Sequence, residues 1–63
     1  MHTLEVTRAA YLRFLEGLKG DIRLEESGEW STEIVERTYR DQELVAKAEF
    51  PCGGGARYFI YKE

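Results

Sequence analysis

Trp30 to Phe50, WSTEIVERTYRDQELVAKAEF, is the stretch whose reading decides the fold. Its Glu and Arg content suits a helix, but its apolar spacing does not. Steps of 3.6 residues from Ile34 land on Arg37 or Thr38 and then on Asp41. Read as two strands around a two-residue turn at Asp41-Gln42, the stretch opposes Arg40 to Glu43, Thr38 to Val45 and Glu36 to Lys47. Two of these three pairs join opposite charges. The other face receives Tyr39 with Leu44, Arg37 with Ala46 and Val35 with Ala48. Such pairs contribute about 0.2–1 kcal/mol each, and a one-residue slip inverts every side chain, so the pattern predicts its own register. Gln42 is not the glycine that a type I′ turn prefers, which leaves a longer turn open.

Working outward, Asp21 to Ser27 alternates Ile22 and Leu24 against Arg23 and Glu25, the pattern of a half-buried strand. Ser27-Gly28-Glu29 is a turn signal, with Gly28 free to take positive φ. Tyr11, Phe14, Leu15 and Leu18 fall at i, i+3, i+4 and i+7, which predicts an amphipathic helix from Arg8 to Lys19. Thr7 is its expected N-cap and Gly20 its expected left-handed end. Leu4-Glu5-Val6 reads as a short strand, and a helix start at Thr3 that absorbs it stays open. Downstream, Pro51 to Ala56 is a glycine-rich loop and Arg57 to Lys62 a last strand, apolar on both faces through Tyr58, Phe59, Ile60 and Tyr61.

These elements predict an α+β domain: one amphipathic helix packed on a four-stranded antiparallel meander sheet, with a short N-terminal strand as an optional addition. The expected core is Tyr11, Phe14, Leu15, Leu18, Ile22, Leu24, Val35, Tyr39, Leu44, Ala46, Ala48, Phe50 and one side of the last strand. Arg37 falls on that inner face and is expected to snorkel to the rim past the alanines. The outer face is expected to hold Ile34, Thr38 and Val45, interrupted by Glu36 and Lys47, with either Tyr58 and Ile60 or Phe59 and Tyr61. A strand apolar on both sides is either central or meets a partner.

The chain has 63 residues, enough for a single small domain covering 1–63. A domain of that size buries only about 60% of the surface its unfolded chain exposes, so a deep catalytic cleft is not expected. With 43% hydrophobic and 13% aromatic residues it is nonetheless too apolar for disorder. The lone cysteine, Cys52, rules out an internal disulfide and suits a reducing compartment; a cytoplasmic location is expected. No apolar run approaches the roughly 20 residues a bilayer span needs, and Arg8 and Arg13 interrupt any signal-like segment.

Chemistry-bearing constellations are sparse. His2 is the only histidine, so neither a His/Cys metal cluster nor an activated Cys52 is expected. The run Gly53-Gly54-Gly55 lacks the Lys-Ser/Thr and the following helix of a phosphate loop. The carboxylates have neither calcium-site spacing nor a pocket to split their pKa values, although Glu25 with Glu29, or Glu33 with Glu36, could approach across the first hairpin. No catalytic residue, metal or cofactor is therefore expected.

Charge carries the functional expectation. The net charge is −3, and residues 24–36 hold Glu25, Glu26, Glu29, Glu33 and Glu36 with no positive charge. An acidic stripe steers a basic partner, and Trp30, Tyr58 and Ile60 are the expected apolar anchors beside it. The expected function is a non-enzymatic protein-binding module that inhibits or modulates a larger protein with a basic surface. Phage-encoded inhibitors, small antitoxins and adaptor proteins share this size and charge. The alternative is a dimeric nucleic-acid-binding regulator with a basic ridge of Arg8, Arg13, Lys19 and Arg23. Self-association into a homodimer is expected through the apolar strand Arg57 to Lys62, with Tyr58 or Phe59 set against its equivalent and with direct backbone pairing as well if that strand lies at a sheet edge. The alternative is a monomer in which the helix covers one side and Leu4 to Val6 the other.

Overall fold

A computed structural model of the chain describes residues 2–28 and 33–62. Among the described residues, five strands and one helix follow each other as β1 (His2–Val6), α1 (Arg8–Glu16), β2 (Ile22–Ser27), β3 (Ile34–Arg40), β4 (Glu43–Phe50) and β5 (Arg57–Lys62). All pairings are antiparallel, in the spatial order β1-β5-β4-β3-β2. The expected meander of four strands is present, and the optional N-terminal strand joins it beside β5. That pairing places β5 inside the sheet. Its backbone has a neighbour on both sides, so the edge route to self-association through the last strand is closed. The sheet edges are β1 and β2.

Thr7 caps the helix as expected, its Oγ1 accepting from the Ala10 N–H at 3.2 Å. The helix ends at Glu16, three residues short of the expected end, where the Gly17 N–H turns back to the Arg13 and Phe14 carbonyls. Gly20 has a different task. At φ +113° it leads into β2, and a Cβ there would lie 3.0 Å from the Asp41 carboxylate. Asp41 Oδ1 accepts from the Asp21 N–H at 3.0 Å and the Asp41 N–H donates to the Asp21 carbonyl at 2.9 Å. The β3–β4 turn therefore pins the start of β2. Asp41 and Gln42 take φ of 51° and 70°, so the turn is the two-residue one despite lacking glycine.

The register holds for Arg40 with Glu43 and Tyr39 with Leu44, then shifts at a β-bulge between Thr38 and Tyr39. Beyond it Thr38 faces Ala46, Arg37 faces Lys47, Glu36 faces Ala48 and Ile34 faces Phe50. The expected pairs of Thr38 with Val45, Glu36 with Lys47, Arg37 with Ala46 and Val35 with Ala48 are thus corrected. A bulge inserts one residue into one strand, here Val45 in β4, and so swaps the faces of β3 relative to a regular ladder. Thr38 and Val45, expected outside, are buried.

The rows across the helix side then read Val6, Tyr58, Ala48, Glu36, Glu26 and Leu4, Ile60, Ala46, Thr38, Leu24. The core lies at their β1–β5–β4 end. Tyr11 sits on Ala46 and Ala48, both fully buried, with its ring centroid 5.1 Å from that of Tyr58. Val6, Phe14, Leu15 and Phe50 close around it, Phe50 meeting Tyr58 edge-on at 6.1 Å. The alanines let the helix approach; larger residues would hold it off. Ile22 and Leu24 are not core. They are exposed, as is the whole of β2.

Geometry explains the division. Five strands span about 19 Å between outermost axes, whereas a helix with its side chains is about 10–12 Å across. One helix covers roughly half such a sheet. Here it covers the β1–β5–β4 half, and the molecule extends 34 Å along its longest axis and 21 Å along the others.

Candidate functional site

The opposite sheet face is closed by its own side chains. Arg57 donates twice to Glu5, at 3.0 and 3.1 Å, and lies 5.2 Å from the centre of the Phe59 ring; Lys47 approaches that ring to the same distance. Lys47 also pairs with Glu49 at 2.9 Å, and that carboxylate holds its ammonium above the usual lysine range. Arg23 lies over Tyr39 at 4.7 Å and pairs with Glu25 at 3.5 Å, while Arg37 donates to Ser27 Oγ at 3.0 Å. Arg37 therefore sits on this face, not inside beside the alanines. Phe59 and Tyr61 are the outward pair of β5, with Phe59 half-buried beneath cation stems.

The helix side of β2 and β3 is different. Leu24 is 72% exposed, Ile34 43% and Ile22 40%, and nothing of α1 lies over them. A shallow depression of about 160 Å³ between the strands is lined by Leu24, Glu25, Glu26 and Glu36. Glu26 and Glu36 stand directly opposite in the ladder. Like charges so placed repel. Among the described residues no salt bridge reaches either carboxylate. Glu36 also lies close enough to Tyr11 to help hold its proton, behind the larger effect of burial, which pushes the hydroxyl up. Here an apolar strip ends in an uncompensated acidic rim.

Of the residues singled out in the sequence, the fold brings Glu26 and Glu36 to this one place, while Glu25, paired with Arg23 on the opposite face, reaches only the margin of the depression. Glu33 is exposed just before β3. Glu29 and Trp30 lie outside the described residues. Tyr58 and Ile60 lie away from this place: both face the helix, Ile60 at 6% exposure and Tyr58 half-buried against the core. Leu24, assigned to the core from the alternation of β2, is instead the centre of the site. Its alternation signal is real; what the sequence does not reveal is that the helix stops short of it. Gly28, expected at positive φ, is needed for a close approach, since a Cβ would lie 3.1 Å from the Glu33 carbonyl and from Ile34.

The basic residues named as a ridge do not all share one element. Arg8 and Arg13 are on α1 and Lys19 follows it, whereas Arg23 projects from the opposite sheet face over Tyr39. Cys52 is exposed in the loop between β4 and β5. Among the described residues no group of His, Cys, Asp or Glu could hold a metal, and no helix is long and apolar enough to cross a membrane. No protein-family model, curated protein or solved structure matches the chain.

Proposed function

We propose that this chain is a non-enzymatic binding module that inhibits or modulates a larger protein, docking it on the uncovered helix side of β2 and β3. The observation that carries the reading is Leu24, a large aliphatic side chain 72% exposed at the centre of a strand, next to Ile22 on its own strand and beside the opposed carboxylates of Glu26 and Glu36, beyond which lies Ile34. An aliphatic strip with an unneutralised acidic rim favours a partner surface that offers an apolar side chain flanked by Lys or Arg. The apolar strip supplies affinity, and the carboxylates supply encounter rate and orientation.

Affinity capture with three baits tests this: the wild type, Leu24→Lys and Glu36→Lys. The expected result is a protein retained by the wild type, lost with either variant, and released by salt. Retention that is equal on all three baits would overturn the proposed surface. Circular dichroism of each bait checks that the exposed substitutions leave the fold intact.

A further inference from the structure

We infer that the site is completed by a second copy of this chain, paired antiparallel along β2 across a two-fold axis at Leu24. The inference rests on the reading of the β2–β3 helix side as the binding surface and names how that surface is built. Edge strands are commonly blunted by Lys, Pro or a bulge. β2 has no Lys, Pro or bulge, its pairing with β3 is regular throughout, and its sequence Ile22-Arg23-Leu24-Glu25-Glu26-Ser27 carries charges of both signs, which an antiparallel copy can match.

The direction of its free backbone groups follows from one bond. The Asp21 carbonyl accepts from the Asp41 N–H, so Asp21 points its backbone toward β3. Antiparallel alternation then turns Arg23, Glu25 and Ser27 inward as well, and leaves the N–H and C=O of Ile22, Leu24 and Glu26 facing the open edge. With Leu24 on the axis these groups are self-complementary. Leu24 pairs with the partner's Leu24, Ile22 with the partner's Glu26, and Glu26 with the partner's Ile22.

The side chains select the same register. On the face away from the helix, Arg23 falls opposite the partner's Glu25 and Glu25 opposite the partner's Arg23. Moving the axis by one residue places either arginine on arginine or glutamate on glutamate. Within one chain Arg23 and Glu25 form an exposed 3.5 Å contact and Arg23 also lies over the Tyr39 ring, a placement that keeps both charged ends in solvent and within reach of a strand added alongside. The other edge offers no such match, because the single acidic group of β1, Glu5, is already held twice by Arg57. An axis normal to the sheet keeps both helices on one side. The two uncovered halves then join into a trough floored by both Leu24 side chains, walled by the two α1 helices, and lined by Glu26 and Glu36 of each copy.

Edge pairing alone buries less than a standard interface of about 1,600 Å², so the dimer is weak and concentration-dependent. Sedimentation equilibrium of the full chain from micromolar to millimolar concentration is the test, with circular dichroism as the check on folding. The wild type is expected to dimerise. Arg23→Glu and Glu25→Arg, each turning two attractions into two repulsions, are expected to weaken it by roughly tenfold or more. An equimolar mixture of the two variants restores the charge match and is expected to associate as the wild type does. A wild type monomeric to millimolar concentration, variants that dimerise unchanged, or a mixture that stays monomeric would each overturn the inference. Capture of a partner by a monomeric wild type would sink the dimer and keep the proposed surface. A dimer that captures nothing at Leu24 would do the reverse.

Discussion

The β1–β5–β4 half of the helix side and its β3–β2 half belong to the same ladder rows, yet they end as different surfaces. In the first, every row position is apolar: Val6, Leu4, Tyr58, Ile60, Ala48 and Ala46. The helix lies there because the alanines leave room for Tyr11. In the second, the same rows continue through Thr38, buried at the helix margin beside Tyr11, and Glu36 to Leu24 and Glu26, and among the described residues no layer covers Leu24. The difference shows that the apolar character of a strand position does not decide its burial. The reach of the covering element does, and a nine-residue helix on a five-stranded sheet runs out of width.

The largest effect is expected where the two halves contrast most. Tyr11→Ala removes the ring that fills the space above Ala46 and Ala48, and should cost about 3 kcal/mol in urea unfolding. That is a large share of the stability of a domain this small. Gly20→Ala comes next. It puts a Cβ at positive φ against the Asp41 carboxylate that tethers β2, and should lower stability by about 1–2 kcal/mol. A loss as large as that of Tyr11→Ala would mean that the uncovered half depends on its tether as strongly as the covered half depends on its core.

Thr38 marks the boundary between the halves. It is 1% exposed, and its Oγ1 approaches the Tyr11 hydroxyl without closing a bond of standard geometry, so it is a buried hydroxyl without a partner. Thr38→Val, which keeps the shape and removes the polar atom, should raise stability by up to about 1 kcal/mol. A loss of stability on thermal unfolding would show that the Tyr11 contact is a working hydrogen bond. Leu24→Thr, by contrast, should change stability by less than about 0.5 kcal/mol while weakening partner capture.

The smallest effect concerns the far edge, where Arg57 fastens β1 to the sheet. Hydrogen bonding from Arg57 lowers the Glu5 carboxyl below its ordinary value of 4.5. A depressed carboxylate contributes stability above its unfolded value and loses it as pH falls through the folded one. The midpoint of thermal unfolding should therefore drop slightly more on acidification below pH 4.5 in the wild type than in Glu5→Gln. Both side chains are about half exposed, and solvent screens the pair, so the difference is small. Equal acid sensitivity would mean that the pair contributes nothing to holding β1.

Much of this was legible in the chain. Alternation in Asp21 to Ser27 and the β-rich run from Arg57 to Lys62 mark strands, Thr7 marks a helix start, and the Asp41-Gln42 turn reads from the pairing of Arg40 with Glu43. The acidic rim was legible as composition, since Glu26 and Glu36 fall in the acidic interval 24–36, which holds five glutamates and no cation. Which residues face each other was not. The expected approach of Glu33 to Glu36 does not name the observed pair, because Glu26 meets Glu36 only through the β2–β3 register.

Local pattern determined the element types of this protein, because side-chain alternation and capping act over a few residues and are written in the chain itself. Tertiary structure decided everything that depends on a second element. A single bulge beside Tyr39 turned β3 over, burying Thr38 and sending Val35, Arg37 and Tyr39 to the far side. Pairing with β1 moved the last strand from a candidate edge to the interior. The width of one helix left Leu24 in water. Each of these outcomes is set by how strands pair and how far a layer extends, which periodicity within a single segment does not encode.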